Sequence, residues 1–148
     1  MLKVKPFRQK TGLCGPASLK MILGYFGIIK SENELSRLTN CTQEWGVEAE
    51  VLIRVAKSMG FQGEIHDNAR FNDIKTWVHK RKIPIIVDWF SPEEAGHYSV
   101  VVGFDKDKII LADPHFGELK KHKIEWFKER WFDIVNDKLI LREIIVIQ

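Results

Sequence analysis

The second half of this chain holds four apolar runs rich in β-branched residues: Ile83 to Trp89, Tyr98 to Phe104, Lys108 to Ala112 and Leu139 to Ile147. Runs of this composition and length suit central strands, so a sheet must form here and the rest of the chain must cover it. Asp105-Lys106-Asp107 separates two of the runs and reads as a hairpin turn.

The first half has the other periodicity. Leu19, Ile22, Leu23 and Phe26 recur at three- and four-residue steps and define one apolar face of a helix beginning at Cys14. Pro16 suits its first turn, where a missing N–H costs nothing, and Gly27 suits its C-terminal cap. Ser31 followed by Glu34 predicts a capping box opening a helix through Leu38. Glu48 to Met59, closed by Gly60, predicts a third helix, with Val51, Leu52, Val55 and Met59 inward. Phe71 to Lys80 predicts a fourth, with Ile74, Trp77 and Val78 on one side. Shorter expectations are strands at Leu2 to Phe7 and Phe61 to His66, and a short helix at Ile124 to Arg130 before the last strand. Helices first and antiparallel sheet second make an α+β domain.

The 148 residues contain no repeat, low-complexity tract or linker, so one domain spanning 1–148 is expected. With 45% hydrophobic and 29% charged residues, the chain belongs with neither disordered nor membrane proteins. A net charge of +3 is too mild to imply nucleic acid. Lys80-Arg81-Lys82 and Lys120-Lys121 read as solvated surface. The first residues lack the apolar core of a signal peptide, and no run reaches the ~20 residues of a spanning helix. The expectation is therefore a soluble, cytoplasmic protein with no membrane insertion. Oligomeric state is not legible.

Two cysteines, Cys14 and Cys41, make neither a disulfide scaffold nor a four-cysteine metal site. Cys14 stands out by position. A thiol at a helix N-terminus meets unpaired N–H groups and the positive end of the helix dipole, which stabilise the nucleophilic thiolate. Gly15 beside it leaves room for a substrate backbone. A thiolate needs a proton partner, and five histidines are available. His97 opens the strand run that ends at Gly103, and the hairpin returns through Ile109 to Ala112 to reach Asp113. His97 and Asp113 thus lie at the same end of adjacent strands, where a carboxylate can accept the imidazole N–H and fix its tautomer. Pro114 ends that strand. The backbone N–H of Cys14 and the side-chain amide of Gln9 can serve as oxyanion donors.

These segments resemble a known family. Gln9…Cys14-Gly15-Pro16-Ala17-Ser18-Leu19, Gly96-His97-Tyr98-Ser99-Val100-Val101-Val102-Gly103 and Ile110-Leu111-Ala112-Asp113-Pro114-His115-Phe116-Gly117 are similar to the nucleophile, histidine and third segments of the bacteriocin-processing, double-glycine cysteine peptidases. The resemblance implies a papain-like fold, with N-terminal helices packed on a C-terminal antiparallel sheet. It implies Cys14 as nucleophile, His97 as general base and acid, Asp113 as orienter and Gln9 as oxyanion donor. Family members often form the N-terminal domain of an ABC exporter and cut leader peptides after Gly-Gly. This chain carries no transmembrane or ATPase segment and reads as a free-standing member.

The expected partner is a peptide or protein substrate, and the expected chemistry needs no cofactor or metal. Two other readings stay open: a catalytically silent peptide-binding module of the same fold, and a thioester acyltransferase with an amine in place of water. A zinc site built from Cys14, His97 and Asp113 is a more distant one. Cys41 reads as a structural or incidental thiol, with a redox link to Cys14 as the alternative. His115 reads as a surface histidine, with substrate contact as the alternative, and Glu93 and Glu94 read as solvated. Trp45 reads as core, with cleft lining as the alternative.

Overall fold

The computed structural model describes residues 1–148. Eight strands and five α-helices succeed one another along the chain. Helices α1 (Cys14–Tyr25), α2 (Glu32–Thr39) and α3 (Ala49–Ser58) precede strand β1 (Gly63–His66). Helix α4 (Phe71–Lys75) continues as a π-helical turn through Lys80. Strands β2 (Ile85–Ser91), β3 (Ala95–Asp105), β4 (Lys108–Asp113) and β5 (Glu118–Lys123) come next, then helix α5 (Ile124–Glu129). The chain closes with β6 (Phe132–Val135), β7 (Lys138–Leu141) and β8 (Glu143–Ile147).

Six strands form one sheet in the order β1-β8-β2-β3-β4-β5, every pair antiparallel. The apolar runs are continuous because both faces are covered. Ile86, Val100, Val102, Ile110, Ala112, Ile145 and Ile147 pack on one side with Leu19, Ile22, Leu23, Leu35, Leu52 and Val55 of α1 to α3. Ile85, Val87, Trp89, Val101, Ile109, Leu111, Ile144 and Val146 pack on the other with Ile74, Val78, Phe127 and Trp131. Each fully buried Leu or Ile contributes about 1.5–3 kcal/mol, so the face of α1 ties it firmly to the sheet.

The predicted helix signals act as written. Ser31 Oγ accepts from Glu34 N at 3.1 Å. Gly27 adopts φ +87° just beyond α1, and Ile28 N closes onto Leu23 O at 2.9 Å. Other elements differ. Leu2 to Phe7 is not a strand; Leu2 N reaches Val102 O, but the N–H of Val4 turns back onto Leu2 O. The run from Leu139 is divided at Arg142, which takes φ +49°. The residues before Arg142 join the small β6–β7 hairpin, and those after it enter the main sheet as β8. Strands β5 and β6 were not expected: Glu118–Lys123 is nearly all charged or polar, as a sheet edge allows. No helix is long and apolar enough to cross a membrane.

Candidate active site

Cys14 is the first residue of α1, half-buried, with Leu13 at the N-cap. No side chain caps that end, so the first N–H groups have no intrahelical partner and face outward along the axis. Gly15 does not serve as expected. It is buried, and a Cβ there would strike Val47 Cγ1, so its bareness admits Val47 and not a substrate.

His97 sits on β3, with Trp89 of β2 as its cross-strand partner. Asp113 ends β4. Val100 pairs with Ala112, so continuing the ladder brings Asp113 opposite Ser99, on the same face as His97 two residues along. Both His97 and Asp113 are 1% exposed. His97 Nε2 donates to Asp113 Oδ1 at 2.7 Å, and the same oxygen accepts from His115 N at 3.0 Å. Burial alone would depress the imidazole. The Asp113 hydrogen bond and the adjoining Cys14 sulfur outweigh it and push the pKa up to about 10. Since Nε2 is engaged by Asp113, the ring nitrogen left for Cys14 is Nδ1. The arrangement is a thiol, an imidazole held in its charged form, and a carboxylate fixing the ring.

Gln9 is anchored by its backbone, whose N–H donates to Pro114 O at 2.8 Å. The segment before α1 and the segment after Asp113 are thereby tied together. Gln9 Nε2 donates to Glu94 Oε1 at 3.1 Å, and Gln9 Oε1 is buried without a partner. Glu94 is therefore not a solvated loop residue. It lies in the tight turn 92–94 between β2 and β3, held there by Glu94 N donating to Ser91 Oγ. Its Oε2 stands 3.1 Å from His97 Nδ1 and 2.9 Å from His115 Nδ1. The contact with His97 Nδ1 is an ion-pair distance off hydrogen-bond geometry.

On the other side of Cys14 and His97 a cavity of about 560 Å³ opens, lined by Trp45, Glu48, Tyr98, Asp133, Lys138 and Ile140 among others. Trp45 belongs to its rim and not to the core: it is 84% exposed, on the turn closed by the Thr42–Gly46 bridge. Deeper in, Asp88 and Glu143 are direct cross-strand partners, and Asp133 approaches from β6. Burial, a hydrogen bond to Asp133 and the surrounding negative charge push Asp88 up to about 10. Burial, then Asp67, Glu50 and Asp133, push Glu143 up to about 8. A Cβ on Gly96 would strike the Asp133 carboxylate, so glycine leaves the room for that close approach. Tyr98 Oη donates to Val47 O at 2.9 Å and ties the loop before α3 to the sheet.

Sequence reasoning missed Glu94 and the Asp88–Asp133–Glu143 group. A usable signal existed for Asp88, a lone carboxylate inside an otherwise apolar strand. Nothing comparable marks Asp133 or Glu143, which meet it only through folding. Cys41 remains a free thiol; burial, and then the charges of Cys14 and Glu32, push it up to about 11. No cluster of His, Cys, Asp and Glu is arranged to hold a metal ion.

Known proteins share this arrangement of elements. The profile of the peptidase C39 family matches residues 6–136. The transport/processing ATP-binding protein ComA of Streptococcus pneumoniae is 34% identical over 120 residues, which is 80% of this chain but 16% of ComA. The chain thus spans about a sixth of the length of that relative. A protein of Methanothermobacter marburgensis is 32% identical over 119 residues, covering 76% of this chain and 73% of its own length. Among solved structures, the peptidase domain of Streptococcus ComA superimposes with a TM-score of 0.76 at 22% identity, covering 97% of each chain. A double glycine motif protease from an AMS/PCAT transporter, solved in complex with its leader peptide, gives 0.73 at 20% identity over 99% of this chain and 91% of that one. The helices-on-sheet architecture is that of the papain-like C39 peptidase domains, and the chain belongs to the peptidase C39 family.

Proposed function

We propose that this chain is an active cysteine peptidase that hydrolyses peptide bonds through a thioester on Cys14. The observation that carries the reading is the His97 imidazole, held by Asp113 at 2.7 Å through Nε2 and raised to about 10 by that bond and the neighbouring Cys14, with Nδ1 free of a hydrogen-bond partner. At neutral pH the ring is therefore charged and can give a proton to a leaving group.

The chemical steps derive from these positions. Cys14 Sγ attacks the peptide carbonyl carbon, and a C–S bond forms. Negative charge moves to the carbonyl oxygen, for which the Cys14 backbone N–H and the Gln9 amide are the donors. His97 gives its Nδ1 proton to the departing amine nitrogen, and the C–N bond breaks. Water then loses a proton to His97 and attacks the thioester, which releases the acid and the thiolate. Asp113 keeps the ring aligned throughout. Every group needed belongs to the chain.

The substrate class is proposed from the relatives. ComA is named for transport and processing, and the AMS/PCAT protease is bound to a leader peptide. Peptides carrying a leader with a double-glycine motif are accordingly the first candidates. The cavity beside Cys14 offers the room to receive such a segment. We assign the whole of residues 1–148 to one peptidase domain, acting in the cytoplasm.

The test is incubation of the unmodified protein and Cys14→Ala with a peptide library that includes double-glycine leaders, read by mass spectrometry. Cleavage by the unmodified protein and none by Cys14→Ala is expected. Binding of leader peptides by both proteins, with cleavage by neither, would contradict it.

A further inference from the structure

The triad side of the site is already occupied by an anion that belongs to the chain. Glu94 directs one oxygen at Gln9 Nε2, at 3.1 Å. The other lies 3.1 Å from His97 Nδ1 and 2.9 Å from His115 Nδ1. Gln9 and the two histidines therefore converge on one carboxylate. Its side chain is 19% exposed, and the turn that carries it is pinned by Ser91. Without it, an amide donor, a charged imidazole and a second imidazole would form an anion cradle beside a nucleophilic sulfur.

We propose that Glu94 sets the charge selectivity of this site: its carboxylate fills the cradle of Gln9, His97 and His115, so that a neutral peptide carbonyl is admitted and a carboxylate is rejected. This inference rests on the reading of Cys14 and His97 as nucleophile and base. It extends that reading to the substrate. A peptide whose free C-terminus would lie in the cradle meets a fixed negative charge, so cleavage falls within chains and not at their last residue. A mid-chain carbonyl displaces the Glu94 oxygen from Gln9 Nε2, and the carboxylate keeps His115, which is 36% exposed, as its outer anchor. Like charges at a half-buried position repel strongly, whereas a neutral oxygen competing for the same amide does not.

The pair of alkylating agents iodoacetate and iodoacetamide reads this directly. They are nearly alike in shape and differ in charge, and both report on Cys14 when the modified residue is located by mass spectrometry. The quantity is the ratio of the two rates in the full-length protein. Glu94→Gln keeps the shape and removes the charge; it should raise the iodoacetate-to-iodoacetamide ratio about tenfold, the size of one modest repulsion at a partly buried site. Glu94→Ala should raise it at least as far, with circular dichroism checking that each variant is folded. A ratio unchanged or lowered in Glu94→Gln overturns the proposal. The failure of the catalytic reading looks different. In that case Cys14 would react with iodoacetamide no faster than an ordinary thiol in every variant, whatever the ratio does.

Discussion

The two walls flanking Cys14 and His97 handle negative charge in opposite ways. On the triad wall, Asp113 accepts from His97 Nε2 and from His115 N, and Glu94 is met by Gln9 and His115 donors. Each carboxylate there has cationic or N–H partners. On the cavity wall, Asp88 and Glu143 face each other across a strand pair with Asp133 beside them, and burial drives protons onto them. The same residue type is thus a charge-holding device on one side and a proton-holding one on the other. Donors make the difference: backbone and ring N–H groups converge on the first wall, while the second offers chiefly other carboxylates.

Changes on the triad wall should cost activity, and changes on the cavity wall should alter stability and its dependence on pH. The largest effect is expected from Asp113→Asn, which keeps the shape but cannot hold the same ring tautomer; peptide cleavage should fall about 10²- to 10⁴-fold, and the melting temperature should lose the contribution of the buried ion pair. Steady-state kinetics and thermal melts measure both. An equal loss of activity from Asp88→Asn would break the distinction between the walls. Gln9→Ala should reduce kcat by about 10²-fold, the usual cost of one oxyanion donor, and leave KM nearly unchanged.

Asp88→Asn sharpens the other half of the comparison. The folded pKa is about 10 against an ordinary 3.8, so the unfolded chain releases this proton first as pH rises. The native protein therefore loses stability from about pH 4 up to about pH 10, and asparagine removes that loss. The variant's gain in Tm should grow between about pH 5 and about pH 8.5, by about 2–4 °C for each kcal/mol relieved. His97 has the same sign by a different route. Its folded pKa is raised above 6.5, so its ion-pair stabilisation is complete below that value and lost as pH passes through about 10. The smallest effect is expected from Cys41→Ser. Its thiol lies outside both walls and its hydrogen bonds are long ones to backbone oxygens, at 3.8 and 3.9 Å, so stability should change by about 0.5 kcal/mol and cleavage not at all.

The sheet and its nucleophile helix were legible because periodicity and capping are local. Leu19, Ile22, Leu23 and Gly27 do their work within one segment, and the Ser31 cap needs only Glu34. That His97 and Asp113 sit at the same end of paired strands was legible from the short hairpin turn; the register shift between Val101 and Gly103 then turns Asp113 onto the face of His97. Three kinds of feature were not. Strand β5 consists of Glu118, Lys120, Lys121 and their neighbours, which carry no apolar signal; it forms because β4 offers an unpaired edge. The break at Arg142 is a backbone reversal inside an apolar run, with neither Gly nor Pro to mark it. Glu94 and Asp133 acquire their roles from residues distant in sequence, such as Gln9 and Asp88, and a solvated turn residue looks the same on paper. Trp45 went the opposite way, since an aromatic side chain signals burial and this one stands at the cleft mouth.

The central claim is that Cys14 is a nucleophile activated by its pairing with His97. The most direct measurement is the rate of Cys14 alkylation by iodoacetamide across the acidic, neutral and alkaline range, in the unmodified protein and in His97→Ala. The account predicts that the unmodified protein keeps a fast rate well below neutrality, while the variant behaves as an ordinary thiol with its inflection near about 8.5. Identical profiles for the two proteins, both inflecting near that ordinary value, would contradict it.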